Sequence, residues 1–149
     1  MTQAPPPTTP YGPPLSINAA RRAMSAAEAD AMRNNWGVSI AIVDSGGNLV
    51  MLHRLDNAQL SSVRIAEAKA RTAVEFRRPT KALEDAVAGG GVGLRVLTFG
   101  ASVAEGGVPI ITDGKIVGGI GVSGAASQQD AQVAMAGAAA VADAMIGPT

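Results

Sequence analysis

The 149-residue sequence contains no cysteine. That excludes disulfides, thiolate nucleophiles and cysteine-ligated zinc together, and it suits a reducing compartment. Histidine occurs once, at His53, which leaves a protein-only zinc or iron site within one subunit short of ligands. Haem needs only one or two axial ligands and stays open. The aromatic residues Tyr11, Trp36, Phe76 and Phe99 are too few for a stacking platform along single-stranded nucleic acid. Twelve Lys and Arg balance twelve Asp and Glu, so neither a long nucleic-acid stripe nor a polybasic membrane patch is expected. No apolar run is long enough to span a bilayer. The opening MTQAPPPTTPYGPPL has no basic n-region and no apolar h-region, so the expected location is cytoplasmic.

What remains is a chain built on Ala, Val, Ile and Leu with eighteen glycines, a composition that lets backbones approach closely. Its length fits one domain. Residues 1–15 read as a proline-rich extended arm, either a free tail or a segment lying across a partner subunit, and residues 16–149 as the domain. Ser16 caps a helix over residues 17–35. Alternating residues 38–44 and 49–55, separated by Ser45-Gly-Gly-Asn48, read as a hairpin. A second helix starts at Gln59 or Ser61 and runs to about Arg78, where Pro79 stops it. Thr80 is expected to cap a short helix over 81–88. Residues 96–99 form a weak candidate strand. Residues 108–112 and 115–122 flank Asp113-Gly114, a pair suited to a type I′ turn. Ser127-Gln-Gln-Asp130 is a capping-box pattern that opens a last helix to about Ile146. Paired hairpins imply an antiparallel sheet covered by helices.

Gly119-Ile-Gly-Val-Ser-Gly124 spells the dinucleotide-binding pattern G-x-G-x-x-G. That fold needs a second parallel strand and an acidic residue at its tip. After Gly124 the chain supplies one helix only, and the strand before it is the return arm of a hairpin. The dinucleotide reading is rejected. Two uses of the glycines remain: close helix packing, or room for a ligand beside a helix N-terminus.

Candidate chemistry falls on a few residues. Glu105, before Gly106 and Gly107, can serve as a general base or ligand contact, or stand as a solvated loop carboxylate. Asp130 is the second candidate for proton transfer. Lys69, Arg78 and Thr80 can gather an anion, as can Ser123, Gly124 and Ser127 at the last helix start. Arg54 offers a fork to a carboxylate. His53 is the axial candidate for haem, or a half-packed strand residue.

In order along the chain, Val43-Asp-Ser-Gly-Gly-Asn-Leu-Val50, Arg54-Leu-Asp-Asn-Ala58, Lys69-Ala-Arg-Thr-Ala73, Arg78-Pro-Thr80, Glu105-Gly-Gly-Val-Pro-Ile110, Asp113-Gly-Lys115 and Gly119-to-Gly124 with Gln129-Asp130 resemble the GlcG/HbpS family of small bacterial proteins. The resemblance, which includes the C-terminal domain of PduO proteins, covers Ser16 to the C-terminus. It implies an α/β (α+β) fold: a three-layer α/β/α domain on a mainly antiparallel five-stranded sheet, similar to profilin and roadblock domains. It also implies homo-oligomers, from dimers to octamers. Its branches bind haem in redox sensing, accompany corrinoid-modifying enzymes, or lie in organic-acid catabolic loci. Arg54-Leu-Asp-Asn replaces the commoner Arg-Met-Asp-Gly, and His53 falls where the family pattern varies. The expectation is a cytoplasmic oligomer binding a small molecule, with haem or a related tetrapyrrole first. The alternatives are an enzyme on a small organic acid, working through Glu105 or Asp130, and an accessory subunit without ligand.

Overall fold

The computed structural model describes residues 8–146. Helix α1 (Ile17–Arg33) begins where expected, with the Ser16 side chain accepting from the Ala19 N–H at 3.1 Å. Strands β1 (Ser39–Asp44) and β2 (Leu49–Arg54) pair antiparallel through a turn in which Asp44 Oδ1 accepts from the N–H groups of Gly46 and Asn48. The register slips by one residue between Ile42 and Val43, so Leu49 falls out of the alternation and is exposed. Helix α2 (Ser61–Phe76) ends two residues earlier than expected, on a left-handed Arg77 with φ 55°. Helix α3 (Thr80–Ala88) starts at Thr80 rather than after it, because the Thr80 hydroxyl is engaged elsewhere. Strands β3 (Gly107–Thr112) and β4 (Lys115–Ser123) form the second hairpin. Its turn residues Asp113 and Gly114 have φ of 52° and 71°, as a type I′ turn demands. Helix α4 (Ser127–Ile146) closes the fold.

Among the described residues the sheet has four strands in the order β2-β1-β4-β3, all antiparallel, and not five. The candidate strand at 96–99 is instead the end of a 3₁₀ segment, Gly91–Thr98. Gly90 and Gly91 enter it with positive φ, and Gly93 lies so close to the Ala86 carbonyl of α3 that no side chain fits there. The segment is therefore folded onto α3 and never reaches a sheet edge. The nearest thing to a fifth strand is the arm. Tyr11 makes one parallel bridge to Ile116, and backbone bonds from Gly12 to Ile116 and from Leu15 to Val117 hold it in the lane where β1 ends. The Tyr11 hydroxyl donates to the Val74 carbonyl at 2.7 Å, and the Arg77 guanidinium stacks 4.8 Å over its ring. Residues 8–15 thus lie on their own domain.

Helices α1 and α4 pack together on one face of the sheet, over Ile40, Ile42, Ile110, Ile120 and Val122. Helix α2 lies on the other, over Ala41, Val43 and Ile116. The second face is thin because the glycine pattern removes side chains from it. A Cβ at Gly119 would lie 2.7 Å from the Ala70 carbonyl oxygen, and one at Gly121 would run into the Ala66 carbonyl. These glycines let α2 sit directly on β4. Of the two uses left open for them, close packing is the one at Gly119 and Gly121. Gly121→Ala is expected to destabilise by about 1–3 kcal/mol through overpacking. In a domain of this size that lowers Tm by roughly 2–4 °C per kcal/mol, read by thermal denaturation.

Candidate functional site

The sequence-predicted site residues separate into two places. The first is an interior polar knot. Lys69 on α2 extends past the sheet at the start of β3, where its ammonium donates to the Val122 carbonyl at 2.9 Å and pairs with Asp130 Oδ2 on α4 at 3.2 Å. Both side chains are buried, at 3 % exposure each. Gly106 makes the passage, since a Cβ there would lie 2.7 Å from the Lys69 nitrogen. Gly107 backs onto the Lys69 carbonyl, and its N–H donates to Thr80 Oγ1 at 3.0 Å. The other Asp130 oxygen accepts from the Ala125 N–H at 2.9 Å, and Gln129 Oε1 accepts from the Ala126 N–H at 3.1 Å. Ser127 is the first residue of α4, and the helix start is capped from within by Gln129 and Asp130 rather than by its hydroxyl. Desolvation holds the Asp130 carboxyl above its ordinary value, against the opposing pull of the Ala125 N–H and of Lys69.

The remaining candidates do not join this knot into an anion site. Arg78 donates to the Phe76 carbonyl at 2.8 Å. Ser123 is buried at the end of β4, and Gly124, at φ 133°, presses against the Gly37 carbonyl. Glu105 lies in the preceding loop, half-buried, with its N–H donating to Glu84 Oε1 at 3.2 Å. Nearby, the Lys81 ammonium is held above its ordinary value, first by its hydrogen bond to Asp85, with Glu105 and Glu84 contributing less.

The second place is an open groove of about 760 Å³ along β2, the edge strand. Neither this groove nor a smaller one of about 210 Å³ beside Pro13–Ser16 includes a residue of the knot. His53 and Leu55 line its α1 side, together with Glu28, Met32, Asn35 and Trp36. Arg54 and Leu52 alternate onto the other face and reach the groove round the strand edge. The His53 Nδ1 atom pairs with Glu28 Oε1. Side-chain exposure is 48 % for His53 and 27 % for Glu28. Two sequence candidates, His53 and Arg54, therefore share this groove, while Glu28, Met32 and Trp36 were not singled out. Glu28 and Met32 lie at i and i+4 on α1, one stripe beside its buried face, and Asn35 follows just past the helix end. That stripe is readable in sequence, but its meeting with β2 is not. Among the described residues no group of three or more His, Cys, Asp or Glu is placed to hold a bare metal ion.

A family profile described as "Haem degrading protein HbpS-like" matches residues 15–139. The chain belongs to the HbpS-like family. Protein GlcG of Escherichia coli strain K12 is 44 % identical over 109 residues, which are 73 % of this chain and 81 % of GlcG. The crystal structure of HbpS is 36 % identical with a TM-score of 0.78, covering 93 % of this chain and 97 % of HbpS. The crystal structure of a PduOC:heme complex is 32 % identical with a TM-score of 0.77, covering 85 % of this chain and 94 % of that one. Both share the mixed α/β architecture of this HbpS-like chain.

Breaking the buried pair has a clear expected cost. Asp130→Asn strands the Lys69 ammonium in the interior and destabilises by about 3–5 kcal/mol. Lys69→Met combined with Asp130→Asn recovers much of that loss, measured by urea unfolding. The pH dependence has a sign as well. Folded Asp130 keeps its proton to a higher pH than unfolded Asp130, whose reference value is 3.8. Its contribution is therefore full below that value and is lost as pH rises through the folded value. Comparing stability across that range, Asp130→Asn shows a shallower decline than wild type.

Proposed function

We propose that this HbpS-like protein binds haem or a related tetrapyrrole in the groove along β2, with His53 as axial ligand, and acts as a cytoplasmic homo-oligomer. One observation carries the reading: the single histidine of the chain lines this groove of about 760 Å³, beside Trp36, Met32 and Leu55. A flat macrocycle needs apolar surface and one ligating nitrogen, and these residues supply both. Arg54 on the same groove suits a propionate carboxylate. The groove volume lies in the range of small-molecule sites. Bound haem would supply an iron centre for one-electron and oxygen chemistry. The HbpS-like family description and the PduOC:heme relative support the same ligand. Val92, Leu94, Leu97 and Phe99, exposed within eight residues, support subunit contacts.

The organic-acid enzyme would need Asp130 or Glu105 free to move a proton beside open N–H groups. Asp130 has both oxygens engaged in the interior, and no observation favours this second reading.

Titration of the purified protein with haemin, followed by visible absorption, tests the proposal. A saturable Soret band at one haem per subunit or per dimer is expected. His53→Ala should weaken affinity at least about tenfold, a loss of roughly 1.4 kcal/mol or more. Non-saturating absorbance, or a band indifferent to the substitution, would overturn the assignment.

A further inference from the structure

His53 has two ring nitrogens, and only an unprotonated one can ligate a metal. Free neutral imidazole favours the tautomer with the proton on Nε2, which leaves the wrong atom bare for a ligand approaching from the far side of the ring. His53 stands on an edge strand, half-exposed, and nothing in β2 itself fixes its ring. The fixing group comes from α1. Glu28 follows Ala27 and precedes Ala31, both fully buried, so its backbone belongs to the rigid packed face of that helix. Its side chain is about three-quarters buried, and its carboxylate meets Nδ1 of His53. Among the described residues it has no other ion-pair partner. A carboxylate has no proton to give, so Nδ1 carries it and donates. In the neutral ring, Nε2 is then the bare nitrogen.

We infer that Glu28 is a positioning residue that sets the His53 tautomer and presents Nε2 as a ligating atom toward the groove. The inference rests on the haem reading for its purpose but not for its geometry. The arrangement has the form of a carboxylate–histidine pair behind a metal ligand. Such a partner also makes the imidazole a stronger donor, which favours the oxidised iron. The competing account is a surface ion pair of little consequence. The two differ in what happens to the ring when Glu28 is replaced.

Because His53 is the only histidine, nitrogen NMR of ¹⁵N-histidine-labelled, ligand-free protein reads one ring without assignment. Measured at about pH 8, above the ordinary histidine range, wild type should show Nδ1 protonated and Nε2 bare. Glu28→Ala should shift the population toward the Nε2–H form, and Ala preserves the helix. Glu28→Gln should retain the wild-type tautomer, since its amide oxygen still accepts from Nδ1. An Nε2–H ring in wild type, or spectra indifferent to Glu28→Ala, would overturn the inference. Haemin titration of the same proteins gives the second arm. Glu28→Ala should lose about 10–100-fold in affinity. Glu28→Gln should keep most of it while raising the midpoint potential. If wild type takes no haem, the functional reading fails and the tautomer spectra still decide the role of Glu28. If haem binds but neither affinity nor spectra respond to Glu28→Ala, the positioning role fails alone.

Discussion

The buried ion pair between Lys69 and Asp130 is the constraint to which the rest of the structure is fitted. It joins α2 on one face of the sheet to α4 on the other, past the start of β3. For the ammonium to pass, the chain must be bare at Gly106 and must turn at Gly107 against the Lys69 backbone. Thr80 then secures Gly107, and Asp130 secures the N–H group that opens α4. A buried pair of this kind is poor evidence for net stability, because desolvation consumes much of the attraction. Its effect is on geometry. It fixes where α4 starts, and α1 packs along α4. Helix α1 in turn carries Glu28 and Met32 to the edge of β2.

The location of the groove follows from strand order. Among the described residues β1 and β4 are central, and β2 and β3 are the edges. The edge at β2 faces the end of α1, where Asn35 with φ 58° and then Trp36 turn the chain into β1. Gly124 supports that turn from behind by lying against the Gly37 carbonyl. The interior knot and the groove are thus adjacent through the backbone, yet they differ in kind. One is closed, polar and fully paired; the other is open, with one histidine held by one carboxylate.

Local patterns made most elements legible. Ser16, the Asp113-Gly114 turn and the alternation of β1 gave boundaries within a residue or two, because capping and positive-φ turns are short-range effects. Residues 96–99, read as a candidate strand, misled for the same reason. Val96 and its apolar neighbours look strand-like, but the approach of Gly93 to α3 is a tertiary fact. Thr80 looked like a cap because its hydroxyl can serve one, and a partner 27 residues away took it instead. At the site, Lys69, Arg78 and Thr80 were near enough in sequence to suggest one anion pocket, whereas each is held by a different partner. His53 and Arg54 were legible as candidates. Glu28 was not, because it lies 25 residues away and on a different layer.

The most direct measurement is a crystal structure of the protein grown with haemin. The account expects the macrocycle in the groove along β2, with Nε2 of His53 on the iron and Nδ1 still on Glu28. Haem bound elsewhere, or in the groove with His53 turned away from the iron, would contradict it.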